Sequence, residues 1–182
     1  TIGNNYIDTN FGVYGVVVNI SHPNVSDLNI FLVSPNGITV ELSTKNGGSG
    51  DNYTNCIFTN NTTNKIVNAS APFTGSFKPE ASLSAVNTGQ NPNGIWKLMI
   101  FDSKKSSDAG SLLGWSLIFS SNPSKPFPFI NSNLPIMWMN TFNQGIPDAS
   151  RVNARMCIVS NDTSLNKIAD TTRFYTHRIT IE

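Results

Sequence analysis

Four carboxylates fall where a hard cation could be held: Asp27, Asp51, Asp102 and Asp108. Calcium takes roughly six to eight oxygens, from carboxylates, amide and backbone carbonyls, and water. Asp27 opens an alternating apolar run, Asp102 closes another, and Asp51 and Asp108 lie in polar loops, with Asn29, Asn52 and Gly-rich backbone nearby in sequence. Strand direction says how they could meet. In DLNIFLVSPNGITVELST, Leu28, Ile30 and Leu32 share a face, Ser34-Pro35-Asn36-Gly37 supplies turn chemistry, and Ile38, Val40 and Leu42 resume the alternation. That pattern predicts a hairpin. The start of its first arm lies beside the end of its second, so Asp27 shares an end with Lys45 and the loop containing Asp51. Antiparallel pairing of the strand from Ile95 to Phe101 with the strand opening at Asp27 brings Asp102 to the same end, and Asp108 follows in the same loop. The competing reading is that all four are loop aspartates making local turn bonds. The loop between Asp102 and Asp108 lacks the acidic spacing, central Gly and final Glu of a helix–loop–helix calcium site.

The elements that must position these residues read as strands. In GIWKLMIFDSKKSSDAGSLLGWSLIF, residues 94 to 119, Trp96, Leu98 and Ile100 alternate on one face and Trp115, Leu117 and Phe119 do so further on. Two strands are expected, carrying two buried tryptophans and holding a polar loop at the edge of the core. Val16, Val18 and Ile20 mark an earlier strand ending near His22-Pro23. Residues 46 to 94 are irregular with scattered aromatics, which predicts short strands, Phe58 and Phe77 among them, joined by crossing loops. Without a sustained apolar stripe of helical period before residue 122, the class is all-β, with jelly-roll connectivity as the natural join.

Pro123, Pro126 and Pro128 make residues 123–128 a stiff linker between a sandwich at 1–122 and a smaller β segment at 129–182. The latter holds three strand-like pieces, LPIMWMNTF, ARMCIVSND and RFYTHRITIE. Alternation through Ile179 and Ile181 is still running at Glu182, which reads as a piece of a longer chain. An incomplete final strand also invites edge pairing with another copy.

Other chemistry finds little footing. There is no GxSxG, HExxH or P-loop, and of the two histidines, His22 beside Pro23 reads as structural. Cys56 and Cys157 have no CxxC neighbour and read as free, buried thiols. Only 13% of residues are charged and the net charge is +1, with no basic patch for nucleic acid. No apolar run has membrane-spanning length. Seven Asn-X-Ser/Thr sequons, at Asn19, Asn24, Asn52, Asn60, Asn61, Asn68 and Asn161, matter only in a eukaryotic secreted protein.

The stretches SHPNVSDLNIFLVSPNG, GGSGDNYTN, APFTGSFKPEASLSAVNTGQNPNGIWKLMIFD and DAGSLLGWSLIF resemble the P domain, or homo B domain, that follows the catalytic domain in subtilisin-like proprotein convertases and many bacterial secreted proteases. The resemblance implies a jelly-roll β-sandwich that packs on and stabilises a protease without chemistry of its own. Members often bind calcium, and the four aspartates fall in stretches where acidic residues recur. The tail, NLPIMWMNTFNQGIPDASRVNARMCIVSND with HRITIE, resembles the β segment preceding the kinase-like domain of spore coat protein H-type proteins, whose phosphate- and metal-binding residues would lie past Glu182.

The expected function is therefore a non-catalytic, calcium-supported module of a secreted protein, partnered by the catalytic or kinase-like domain of its parent. One alternative is a carbohydrate- or cell-surface-binding module with Tyr53, Phe73 and Phe77 as sugar-stacking aromatics. Another is a fragment of an exported kinase-like protein.

Overall fold

The computed structural model describes residues 3, 5–104, 109–126, 131–142, 151–161, 164–167, 170 and 175–181. It is all-β, and it divides into two compact units, Thr1–Pro126 and Phe127–Glu182.

The first unit is a two-sheet sandwich. One sheet runs in the order β5-β4-β1-β7, with β1 at Gly12–Ser21, β4 at Tyr53–Thr59, β5 at Phe73–Phe77 and β7 at Ser111–Ser120. The other runs β3-β2-β6, with β2 at Leu28–Val33, β3 at Thr39–Thr44 and β6 at Lys97–Asp102. Alternation decides what fills the space between them. Val16 and Val18 of β1, Ile30 and Leu32 of β2, Val40 and Leu42 of β3, and Phe58 of β4 are all fully buried in one cluster. Among the described strands only β4 and β5 pair in parallel, which obliges the long crossing between them. The irregular region around them also contains short 3-10 turns at Ile66–Asn68 and Leu83–Val86.

The two strands around the acidic loop part company. β6 pairs with β2 in one sheet and β7 with β1 in the other, so the loop crosses the end of the sandwich instead of closing a hairpin. Each is the last strand of its sheet. Burial follows from that: Trp96 and Trp115, expected to be buried, are only half-buried, as are Leu98, Ile100, Leu117 and Phe119. Trp96 is drawn outward because its indole N–H donates to Pro92 O at 2.9 Å, while its ring meets Phe119 edge-on.

The opposite side of the sandwich is closed by the irregular segment. The Ala81 N–H donates to Glu41 O at 2.9 Å and the Glu80 N–H to Leu42 O at 3.3 Å, covering the free edge of β3. The Glu80 carboxylate also accepts from the Thr44 N–H at 2.6 Å and the Asn46 amide at 2.7 Å. Beyond β5, the Ile66 N–H donates to Lys78 O and the Lys78 N–H to Asn64 O. Behind these seals Tyr53, Phe73 and Leu42 have no more than about one per cent of their surface exposed.

The second unit is a three-stranded antiparallel sheet ordered β10-β9-β8, with β8 at Ile136–Asn140, β9 at Val152–Val159 and β10 at Tyr175–Ile181. Ile136, Cys157 and Val159 form its small core, with Trp138 packed against them.

Candidate functional site

The β2–β6 register sets Leu28 opposite Asp102, so Asp27 and Asp102 stand at one end of the sandwich. Asp27 closes a 3-10 turn, Val25–Asp27, and that turn buries it. Its backbone carbonyl accepts from both the N–H and the hydroxyl of Ser103 at 2.7 Å, which anchors the loop leaving β6. The Asp27 side chain is 4% exposed; its Oδ1 lies 3.3 Å from the Lys104 ammonium, which is 63% exposed. Among the described residues Asp27 Oδ2 is buried with no hydrogen-bond partner, and so is Asn29 Oδ1 two residues on. A buried, unpaired carboxylate oxygen is costly, and buried carboxylates are normally paired or on metal.

Asp102 faces His22, which is buried where β1 ends. The Asn24 N–H donates to His22 Nδ1 at 3.1 Å, which fixes the ring's proton on Nε2, and that N–H donates to Asp102 Oδ2 at 3.3 Å. The Lys104 N–H caps Asp102 Oδ1 at 3.1 Å. These two bonds, the backbone one first, hold the exposed Asp102 carboxyl below its ordinary pKa. His22 is thus structural, as its place beside Pro23 implied. A Cβ on Gly110, just before β7, would lie 2.3 Å from His22 Cδ2, so only glycine lets β7 start this close to the ring. His22, Asp102 and Gly110, with Ile20, Leu28 and Leu112, line an open pocket of about 370 Å³.

Asp51 stays apart. Its carboxylate accepts from the neighbouring Asn52 amide at 3.0 Å, although its loop is tied to this end by the Val25 N–H to Gly50 O and by Asn52, which bonds the His22 backbone. Asp108 lies outside the described residues. Among the described residues no three His, Cys, Asp or Glu side chains converge as a metal cage. The Lys104 pair and the contact of Gly110 with His22 were not anticipated, whereas Asn29 was already legible as a nearby oxygen donor and Gly110 as a glycine opening a strand.

Residues 13–119, from the start of β1 to the end of β7, match the family model of the proprotein convertase P-domain. The chain belongs to that P-domain family. No curated protein and no solved structure matches it. In convertases the P domain is a non-catalytic accessory of a secreted subtilisin-like protease. The match ends at Phe119, and nothing found supports the spore coat protein H resemblance of the tail.

The aromatics proposed as sugar platforms belong to the core of this P domain. Tyr53 and Phe73 are buried with ring centroids 4.8 Å apart, the Tyr53 hydroxyl pairs with the Ser43 hydroxyl at 3.1 Å, and Phe77 packs edge-on against Phe73. Tyr53 and Phe73 have no free face for a sugar, and Phe77 is half-buried. Cys56 is a buried thiol, its pKa pushed up to about 12 by burial, and Cys157 is buried in the second unit. Among the described residues no helix is long and apolar enough to cross a membrane.

Proposed function

We propose that this P domain is a non-catalytic, calcium-supported module that stabilises or targets a larger secreted protein. The observation that carries the calcium reading is Asp27: a buried carboxylate with one oxygen unpartnered among the described residues, two positions before Asn29, whose side-chain carbonyl is equally unpartnered there. Asp27, Asn29 and Asp102 are the residues that would hold the ion, with Asp108 of the same loop as a further candidate; Asp51, engaged with Asn52, is the weakest member. The ion would supply the positive charge that the buried oxygen lacks and would tie the loop after β6 to the turn before β2. Lys104 occupies the other Asp27 oxygen from the solvent side and can swing away on its exposed tether.

The test is thermal unfolding in calcium and in excess chelator, on the wild type, Asp27→Asn and Asp102→Ala. A site that binds only the folded state adds about 2.7 kcal/mol at a hundredfold excess over Kd. A calcium-dependent rise in Tm that Asp27→Asn abolishes supports the reading. An unchanged Tm in calcium overturns it and leaves Lys104 as the counter-charge of Asp27 among the described residues.

The parent's other domain is proposed as the partner, in the manner of convertase P domains, and export follows from the same kinship. For residues 129–182 the start of a spore coat protein H-type module remains the proposal; the antiparallel sheet β10-β9-β8 is compatible with it.

A further inference from the structure

β7 ends the four-stranded sheet, and nothing among the described residues hydrogen-bonds to its outer edge through the backbone. It is ten residues long, Ser111–Ser120, and contains no charged residue and no proline. Those are the features by which soluble proteins ordinarily protect an edge, apart from the bulge that turns out Leu113. The described chain leaving β7, as far as Pro126, does not pair with it. Asn122 O accepts from the Asn61 amide and the Ser124 N–H donates to Val13 O, so the exit runs back toward β1 and β4. Beneath the edge, Trp115 and Leu117 are only half-buried.

We propose that β7 is an interaction edge whose occupant is β7 of a second copy, paired antiparallel across a two-fold axis. Self-pairing is favoured by the strand's own chemistry. Without charge, two copies meet with no repulsion, and an antiparallel edge offers each backbone donor an acceptor in its mirror position. Centred near Ser116, the pairing sets Trp115 beside Leu117 of the other copy on the core face. On the outer face it sets Gly114, which has no side chain, beside Ile118 of the other copy. The added strand covers the flank of the core that the monomer leaves half-open. One strand pair buries little area by the standard of stable interfaces, so the dimer is weak and concentration-dependent.

The experiment is sedimentation equilibrium of the full chain across a micromolar-to-millimolar series, in calcium and in chelator. Ser116 is exposed on the outer face, so Ser116→Lys and Ser116→Glu leave the fold intact, checked by an unchanged Tm. The expected result is a reversible wild-type dimer, monomers for either variant alone, and recovery of the dimer when the two variants are mixed. A wild type that stays monomeric overturns the proposal, as does a dimer that survives Ser116→Lys, which would place the contact elsewhere. So does a monomeric wild type that binds a foreign extended peptide along β7, which would give the edge to another chain.

Discussion

The two flanks of the sandwich solve the same problem differently. At the β3/β5 flank the chain's own irregular segment covers the edge of β3 through Glu80 and Ala81 and bridges Ile66 to Lys78 just past β5, and Tyr53, Phe73 and Leu42 behind it are buried. At the β6/β7 flank two edge strands stand in different sheets, the apolar side chains beneath them are half-buried, and the acidic end with its pocket opens at their ends. Stability is concentrated at the first flank, and the second keeps the groups that can meet a cation or another strand.

The largest expected effect sharpens that division. Phe73→Ala, behind the seal, removes a fully buried ring and should cost about 3–5 kcal/mol in urea unfolding. Leu117→Ala, at the open flank, deletes a side chain that water already reaches and should cost about 1–2 kcal/mol. Equal costs would break the comparison.

A second contrast is in pH. Behind the seal, burial raises the pKa of Tyr53, and that of Cys56 to about 12. A raised acid contributes stability that is present below its unfolded pKa and lost as pH rises toward the folded value. Stability should therefore fall by about 2 kcal/mol from Cys56 alone between roughly pH 8.5 and pH 10, and Cys56→Ala should flatten that limb. At the open flank the sign reverses. Asp102 is held low by the Lys104 N–H and by His22, so its contribution is present above the ordinary carboxylate pKa and lost as pH falls through the depressed one. Tm measured against pH for the wild type, Cys56→Ala and Asp102→Asn separates the two limbs. An alkaline limb that persists unchanged in Cys56→Ala would sink the first assignment.

What the sequence made legible was whatever repeats with the period of a strand. The hairpin of β2 and β3 and the placing of Asp27 and Asp102 at one end follow from alternation and strand direction alone, and the structure pairs Leu28 with Asp102 accordingly. Alternation tells which face a side chain takes and not how many neighbours that face has. Hence Trp96 and Trp115 read as core residues, although each sits beside an edge. The seals were illegible for a different reason. They are single polar side chains acting far along the chain, such as Glu80 on Thr44, or Asn87, whose amide bridges Val13 and Ser124. Such bonds have no period to read.

Smaller is the expected effect of loosening the seal at one bond. Glu80→Ala leaves the Thr44 N–H and the Asn46 amide without their acceptor at a partly wet edge, a loss of about 1 kcal/mol. Its signature should be local: faster amide hydrogen exchange along β3, with β6 unchanged. Uniform acceleration across both flanks would mean that the seal holds the whole sandwich and not one side of it.

The smallest expected effect on stability is the most informative about the open flank. Lys104 is largely exposed, so in chelator Lys104→Met should change stability by no more than about 1 kcal/mol. If the Asp27 oxygen left unpartnered among the described residues is there for a cation, the lysine is a competitor, and removing one unit charge about 4 Å from a divalent ion should tighten calcium binding by up to roughly thirtyfold. Isothermal titration of both proteins with calcium gives the answer directly. A variant that binds calcium no better and loses several kcal/mol in chelator would mean that the lysine itself is the counter-charge for which Asp27 is buried. The open flank would then be held by a side chain, as the sealed one is, and the difference between the two would reduce to the bare edge of β7.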